Sequence, residues 1–240
     1  MTTLCIDFGN TRLKAGVFSN GAFMEEVSIE APDITSIGSL LDRFKPDKCI
    51  LSSVILHDVQ LEKYLAERTR FHSLSCKSQL NFSIAVSKPE TIGPDRLALS
   101  AAACSLYPGK NNLIIGMGTC ITYNFISASH VFLGGAISPG MDMRFRSMHE
   151  QTARLPQVSF VPSIPLTGYD TVTNLQSGVV NGIAGEIDGF IDKYLIKYGN
   201  FNAVLTGGHS PHFAGQLKNR IFADIHFLYK GLYVLSELNN

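Results

Sequence analysis

From Leu97 to Met141 the chain carries a single charged residue, Lys110. A stretch like this cannot be a solvated surface. It belongs at the centre of a molecule or in a subunit interface. Within it, Leu113 to Ile115, Ile121 to Ile126 and Val131 to Ile137 read as strands joined by Gly-rich turns. The 240 residues are 45% hydrophobic and 17% charged, enough for a core that needs no disulfide or metal. Twenty Lys and Arg balance twenty Asp and Glu, and the balance is even along the chain. With no basic arm or acidic tail, a nucleic-acid partner is not expected.

The five cysteines, Cys5, Cys49, Cys76, Cys104 and Cys120, are scattered and form no CxxC pair. They read as small hydrophobes rather than as zinc or redox groups. The first residues, MTTLCIDFGN, lack a basic n-region, so no signal peptide is expected. No apolar run is long and uninterrupted enough for a membrane span. The expected setting is the cytoplasm, with no membrane partner.

The remaining chain alternates strand and helix patterns. Leu4 to Asp7, Arg12 to Phe18 and Phe23 to Ile29 read as a β-meander with turns at Gly9-Asn10 and Ser19-Asn20-Gly21. Helical spacing covers Ile37 to Phe44, residues 58–70, Leu97 to Leu106, 142–154 and 174–198. Cys49 to Val54 and Ala203 to Leu205 read as buried strands. Ser73 to Glu90 is polar and turn-rich, and 155–169 reads as an irregular connection. A helix around 211–219 and a last strand-helix pair complete the pattern.

The segment Leu4 to Thr11 is echoed by Leu113 to Cys120. Each is an apolar strand, a tight glycine turn, a hydroxyl residue and a second strand. Two copies about half a chain apart suggest duplicated α/β lobes. The expected division is 1–110 and 111–240.

Five pieces carry chemistry. In Asp7-Phe8-Gly9-Asn10-Thr11-Arg12-Leu13-Lys14, a strand delivers a carboxylate to a turn whose amides can cradle phosphate. Lys14 adds a point charge, and Asp7 can hold a hydrated Mg²⁺. The same residues also suit an ordinary hairpin. Gly116-Met117-Gly118-Thr119 forms the matching second turn, and two such turns facing across a cleft could clamp a triphosphate. Gly134 to Gly140 and Thr206-Gly207-Gly208 suit the walls of a nucleotide pocket. In Gly93-Pro94-Asp95-Arg96, Asp95 lies at a helix start, where it is either a plain cap or an acid that takes a proton from an alcohol. Arg96 could bind an anionic substrate. His149, His209 and His212 have no metal-ligand spacing.

The order and spacing of these pieces resembles the type III pantothenate kinase family, of the acetate and sugar kinase/Hsp70/actin superfamily. Ser52-Ser53-Val54, Pro89 to Arg96, Thr152 to Pro156 and Thr171 with Gln176-Ser177-Gly178 extend the match over nearly the whole chain. The resemblance implies two actin-like, ribonuclease H-like lobes with mixed sheets and an interlobe cleft. It implies ATP-dependent phosphorylation of pantothenate to 4'-phosphopantothenate, the first step of coenzyme A biosynthesis. Asp7, Phe8, Gly9, Asn10, Thr11, Arg12, Leu13 and Lys14 would bind ATP phosphates, with Thr119 meeting the nucleotide from the second turn. Asp95 would be the proton acceptor. Val86, Gly93, Pro94, Asp95, Arg96 and Thr171 would line the pantothenate site. Mg²⁺ with ATP, a monovalent cation (K⁺ or NH₄⁺) and a homodimer with interfacial active sites are also implied.

The chain departs from the family pattern at three places. Gly116 stands where an Asp helps hold the monovalent cation, and Asn124 replaces a further acid. Val86 replaces a Tyr that contacts pantothenate. Asp170, in place of Asn before Thr171, is a smaller change. These departures keep two alternatives open: a superfamily kinase for another small alcohol, or a nucleotide-binding regulatory protein without catalysis.

Overall fold

The computed structural model describes residues 1–240, which fold as two compact units. The first comprises Met1–Gly109, Ile126–Gly134 and His226–Asn240; the second comprises Lys110–Phe125 and Gly135–Ile225.

The first unit is built on β1 (Thr2–Phe8), β2 (Leu13–Ser19), β3 (Ala22–Ile29), β4 (Lys48–Ser53) and β5 (Arg70–Ser73). They form one mixed sheet in the order β3-β2-β1-β4-β5. The meander β1-β2-β3 is antiparallel, and β4 and β5 add in parallel. Helices α1 (Ile34–Phe44) and α2 (Val59–Arg68) are the crossovers that parallel strands require. Asp33 caps α1 by accepting from the Ser36 amide, and Asp58 caps α2 by accepting from that of Gln60. Leu4, Ile6 and Phe8 of β1 pack against Ile37, Leu41, Leu61 and Leu65 of these helices. Helices α3 (Pro94–Leu106) and α7 (Phe227–Asn239) also belong to this unit. A methyl group on Gly231 would collide with the Ala98 carbonyl, so the two backbones approach closely there.

The second sheet is built on β7 (Asn112–Met117), β8 (Cys120–Ile126), β9 (Val131–Pro139), β10 (Asn202–Thr206) and β11 (Phe222–Ala223), all in the second unit but for Ile126 and Val131–Gly134. Their order is β9-β8-β7-β10-β11, with β10 parallel to both β7 and β11. Position for position this repeats the order of the first sheet, as the echo between Leu4–Thr11 and Leu113–Cys120 suggests. The first residues of β9 pair with the short strand β6 (Ser83–Ile84) within the first unit. Helices α4 (Met141–Glu150), α5 (Thr171–Tyr198) and α6 (Ser210–Phe213) complete the fold. Their apolar faces bury Phe145, Val179, Ile183, Ile187 and Phe213 against Leu113, Ile115, Tyr123 and Leu205.

The compact units part at Gly109–Lys110, one residue before the expected division, and depart from it in two further places. Residues 126–134 and 226–240 belong with the first unit. The reason for the latter is packing: α7 lies on α3 and β4. The helix expected over 211–219 is only Ser210–Phe213. No helix is long and apolar enough to cross a membrane. Cys5, Cys49 and Cys104 are buried free thiols whose pKa values burial raises, in keeping with an inert packing role.

Candidate active site

In the first unit the site is organised by the C-terminal end of β1, the middle strand of its sheet. Asp7 lies opposite Lys14 of β2 and Ser52 of β4 in the strand register. Its Oδ1 accepts a hydrogen bond from Ser52 Oγ at 3.2 Å. Lys14 does not bond Asp7. Its Nζ is held by Glu26 of β3 at 2.6 Å. Asp7 is therefore a carboxylate without a bonded counter-charge. Burial pushes its pKa up from 3.8 to about 7, and the negative charge of Asp95 adds to the shift. Ser52 and Lys14 pull the other way.

That shift has a testable sign. The unfolded carboxylate ionises near its ordinary 3.8 and the folded one near 7, so stability falls as pH rises between those values. Asp7→Asn cannot ionise. The ligand-free variant should unfold at a higher temperature than the unmodified protein at pH 8, and the gain should shrink toward pH 4. Thermal scans across that range check it. A gain independent of pH would mean that Asp7 is not the titrating group.

The turn after β1 spans Gly9 to Arg12, closed by a bond from the Gly9 amide to the Arg12 carbonyl at 3.1 Å. Asn10, Thr11 and Arg12 are exposed, while Phe8 is buried in the core. Leu13 begins β2 and packs against the same core. Val54 extends the sheet edge by donating its amide to the Phe8 carbonyl at 3.0 Å.

Asp95 is the second residue of α3. Pro94 occupies the first position and Gly93 the N-cap, where it makes no side-chain cap bond. Asp95 is therefore not the N-cap residue itself, although its carboxylate accepts from amides of the first turn. Burial raises its pKa, while bonds from its own and the Arg96 amides and the Arg96 charge oppose the shift. The Arg96 guanidinium sits over the Phe132 ring at 5.7 Å. Val86 borders Gly134: a Cβ there would lie 3.4 Å from its Cγ1, on a backbone with φ of +98° that suits glycine alone.

In the second unit, the turn between β7 and β8 is Gly118-Thr119, closed by the Gly118 amide on the Cys120 carbonyl. Two glycines press against this hairpin. A Cβ on Gly140 would meet the Thr119 carbonyl oxygen at 2.5 Å, and one on Gly207 the Met117 oxygen at 2.5 Å. Gly116 pairs in register with Thr206 of β10. Asn124 is fully buried and donates to the Ile114 carbonyl at 3.3 Å and to Thr122 Oγ1 at 3.2 Å. A carboxylate could donate neither bond, so the amide suits this pocket. Thr171 is exposed at the first position of α5. Asp170 caps that helix through the Thr173 amide at 2.8 Å, which gives the Asp at this position a structural role.

The three histidines make structural contacts. His149 bonds the Leu155 carbonyl, His209 pairs with Asp142 at 3.3 Å, and His212 packs on Phe160. No cluster of three or more His, Cys, Asp or Glu is poised for a metal. Sequence reading missed Glu26, whose grip on Lys14 has no local signal, and the Glu186 cluster. Glu186 accepts from Tyr123 at 2.9 Å, from Ser138 at 2.5 Å and from Arg144.

Asp7 and Asp95 are two carboxylates raised by burial, one at a strand end beside an exposed glycine turn and one in the first turn of a helix. The two mixed sheets, with the same strand order, define a duplicated α/β fold. The family model for type III pantothenate kinase matches residues 3–193. A type III pantothenate kinase of Christiangramia forsetii is 42% identical over 98% of both chains. One of Flavobacterium johnsoniae is 38% identical over 95% of both. The chain belongs to the type III pantothenate kinase family. Solved structures give the fold. A ROK family protein of Streptococcus pneumoniae superposes with a TM-score of 0.53 at 12% identity, covering 98% of this chain and 97% of that one. An inorganic polyphosphate/ATP-glucomannokinase of Arthrobacter does so with 0.51 at 12%, covering 100% and 99%.

Proposed function

We propose that Asp95 and the Asp7–Lys14 turn carry out the activity of this chain, a kinase that phosphorylates pantothenate with ATP in coenzyme A biosynthesis. The observation that carries the assignment is the Asp7–Asp95 pair. Burial raises the Asp7 pKa to about 7, and the negative charge of Asp95 adds to that shift. Two carboxylates that burial makes reluctant to ionise, on a strand end and in the first turn of a helix, suit the handling of a cation and a proton.

Asp95 accepts the proton of the primary hydroxyl. A carboxylate raised by burial is a stronger acceptor than a solvated one, as long as it remains ionised. Amides of the Gly9–Arg12 turn other than that of Gly9 offset charge on the transferred phosphoryl group, and Lys14 joins them with the donors its bond to Glu26 leaves over. Thr119 contacts the nucleotide. Arg96 meets the acceptor's carboxylate, and Val86, Gly93, Pro94 and Thr171 shape the acceptor pocket.

A divalent ion fits Asp7, a buried carboxylate whose nearest lysine is engaged elsewhere. Mg²⁺ keeps most of its waters and needs only one or two protein carboxylates. It would supply charge neutralisation at the phosphates. A monovalent cation fits poorly: Gly116 offers backbone oxygen only, and the Asn124 amide is committed as a donor. A buried ion without an acidic ligand is costly to desolvate. Turnover should therefore be nearly equal in sodium and potassium buffers of matched ionic strength. Gly116→Asp should introduce potassium dependence. Strong potassium activation of the unmodified protein would contradict this.

The proposed assembly is a cytoplasmic homodimer with active sites at the subunit interface. The acceptor is tested by product analysis with ATP and a panel of small alcohols. Pantothenate should be phosphorylated fastest. A faster neutral alcohol would assign Val86 to a different acceptor.

A further inference from the structure

The loop that follows β4 in the first unit is tied down by His57, a residue the proposed chemistry leaves unused. The ring is largely enclosed, its side chain 12% exposed. Its Nδ1 lies 3.1 Å from Ser53 Oγ, and its Nε2 lies 3.1 Å from Glu62 Oε1 on α2. Ser53 Oγ also reaches the Ile55 carbonyl at 3.0 Å, and Ser73 at the end of β5 donates to the same Glu62 oxygen at 3.0 Å. The ring stands edge-on to Phe8, with centroids 5.7 Å apart. One side chain thus joins the end of β4, the first turn of α2 and the last residue of β1.

What this brace holds is the segment Val54-Ile55-Leu56, with both Val54 and Leu56 exposed and Leu56 fully so. A short apolar loop carrying such side chains in water would be mobile unless anchored at both ends. It is anchored at one end by the Val54 amide on Phe8 and at the other by His57. Val54 borders the acceptor motif: its Cγ1 lies 3.9 Å from where a Cβ on Gly93 would stand.

We propose that His57 is a positioning residue for the acceptor, holding Val54 against the Gly93–Arg96 motif through its bond to Ser53. The inference rests on the assignment of that motif to pantothenate binding. His57 touches neither substrate. Its effect falls on acceptor affinity, because the segment it braces flanks Gly93, while the phosphate turn is separately closed by its own Gly9–Arg12 bond.

The test is steady-state kinetics on the full chain with pantothenate and ATP varied separately. His57→Phe keeps the packing on Phe8 and removes both polar links. It should raise the KM for pantothenate on the order of tenfold, the worth of one to two hydrogen bonds. The KM for ATP and kcat should stay near those of the unmodified enzyme. His57→Asn keeps a polar group near the Nδ1 position and should recover most of the loss, whereas a general structural role predicts no such rescue. Ser53→Ala removes the same link from the other side and carries the test should His57→Phe fail to fold. Its effect should not add to that of His57→Phe. An unchanged pantothenate KM in His57→Phe and Ser53→Ala, with normal turnover, would overturn the inference alone. So would equal rises in both KM values. Absence of turnover on pantothenate by the unmodified enzyme would overturn the acceptor assignment, and the inference with it.

Discussion

Asp95→Asn is expected to lower turnover on the order of 10²–10⁴, the usual worth of a positioned general base. Folding and ATP binding should survive. The amide matches the carboxylate in size and can still accept from the amides of residues 95 and 96, which hold it in the first turn of α3. It cannot take the hydroxyl proton. A second consequence separates this variant from a merely damaged one. Asp95's charge helps raise Asp7, so removing it should bring the Asp7 pKa down from about 7 toward the ordinary carboxylate range. The pH dependence of stability should move to lower pH with it. Near-normal turnover by the variant would remove Asp95 from the chemistry. An unmoved Asp7 would mean that burial alone accounts for its shift.

Gly9→Val should abolish measurable ATP binding. A Cβ at this position would lie 3.1 Å from the Arg12 carbonyl oxygen, the acceptor of the bond that closes the turn. Two further methyl groups would crowd that bond and cover the amides proposed to face the phosphates. The backbone at Gly9 is not in the left-handed region. The expected loss is therefore steric crowding of the cradle rather than dihedral strain. Gly9→Ala is the graded comparison, since it requires a shift of only a few tenths of an ångström. It should bind ATP more weakly than the unmodified protein and more strongly than Gly9→Val. Unchanged affinity of folded Gly9→Val by calorimetry would reduce this turn to an ordinary hairpin.

Much of this was readable along the chain because local pattern and buried position coincide. The alternation in Leu4–Asp7 and Arg12–Phe18 marks strands that do form the antiparallel pair β1-β2, and the echo at Leu113–Cys120 marks a second sheet with the same strand order. The strands β5 and β6 escaped because their identity is borrowed. Arg70–Ser73 and Ser83–Ile84 are short and polar, and become strands only by pairing with β4 and β9. The place of α7 was hidden for a similar reason. Nothing in Phe227–Asn239 announces that it lies on α3, more than a hundred residues earlier. Among candidate site residues, Asp7 and Asp95 were visible by type and spacing. The influence of Asp95's charge on Asp7, the bond from Lys14 to Glu26 and the His57 brace arise between strands and helices distant in sequence.

The most direct test of the account compares the unmodified protein with Asp95→Asn, each incubated with ATP, Mg²⁺ and pantothenate, with products identified by mass spectrometry. The account predicts 4'-phosphopantothenate and ADP in equal amounts from the unmodified protein. From the variant it predicts almost none, although the variant binds ATP with unchanged affinity. Equal product from both proteins, or none from the unmodified protein while it binds ATP, would contradict it.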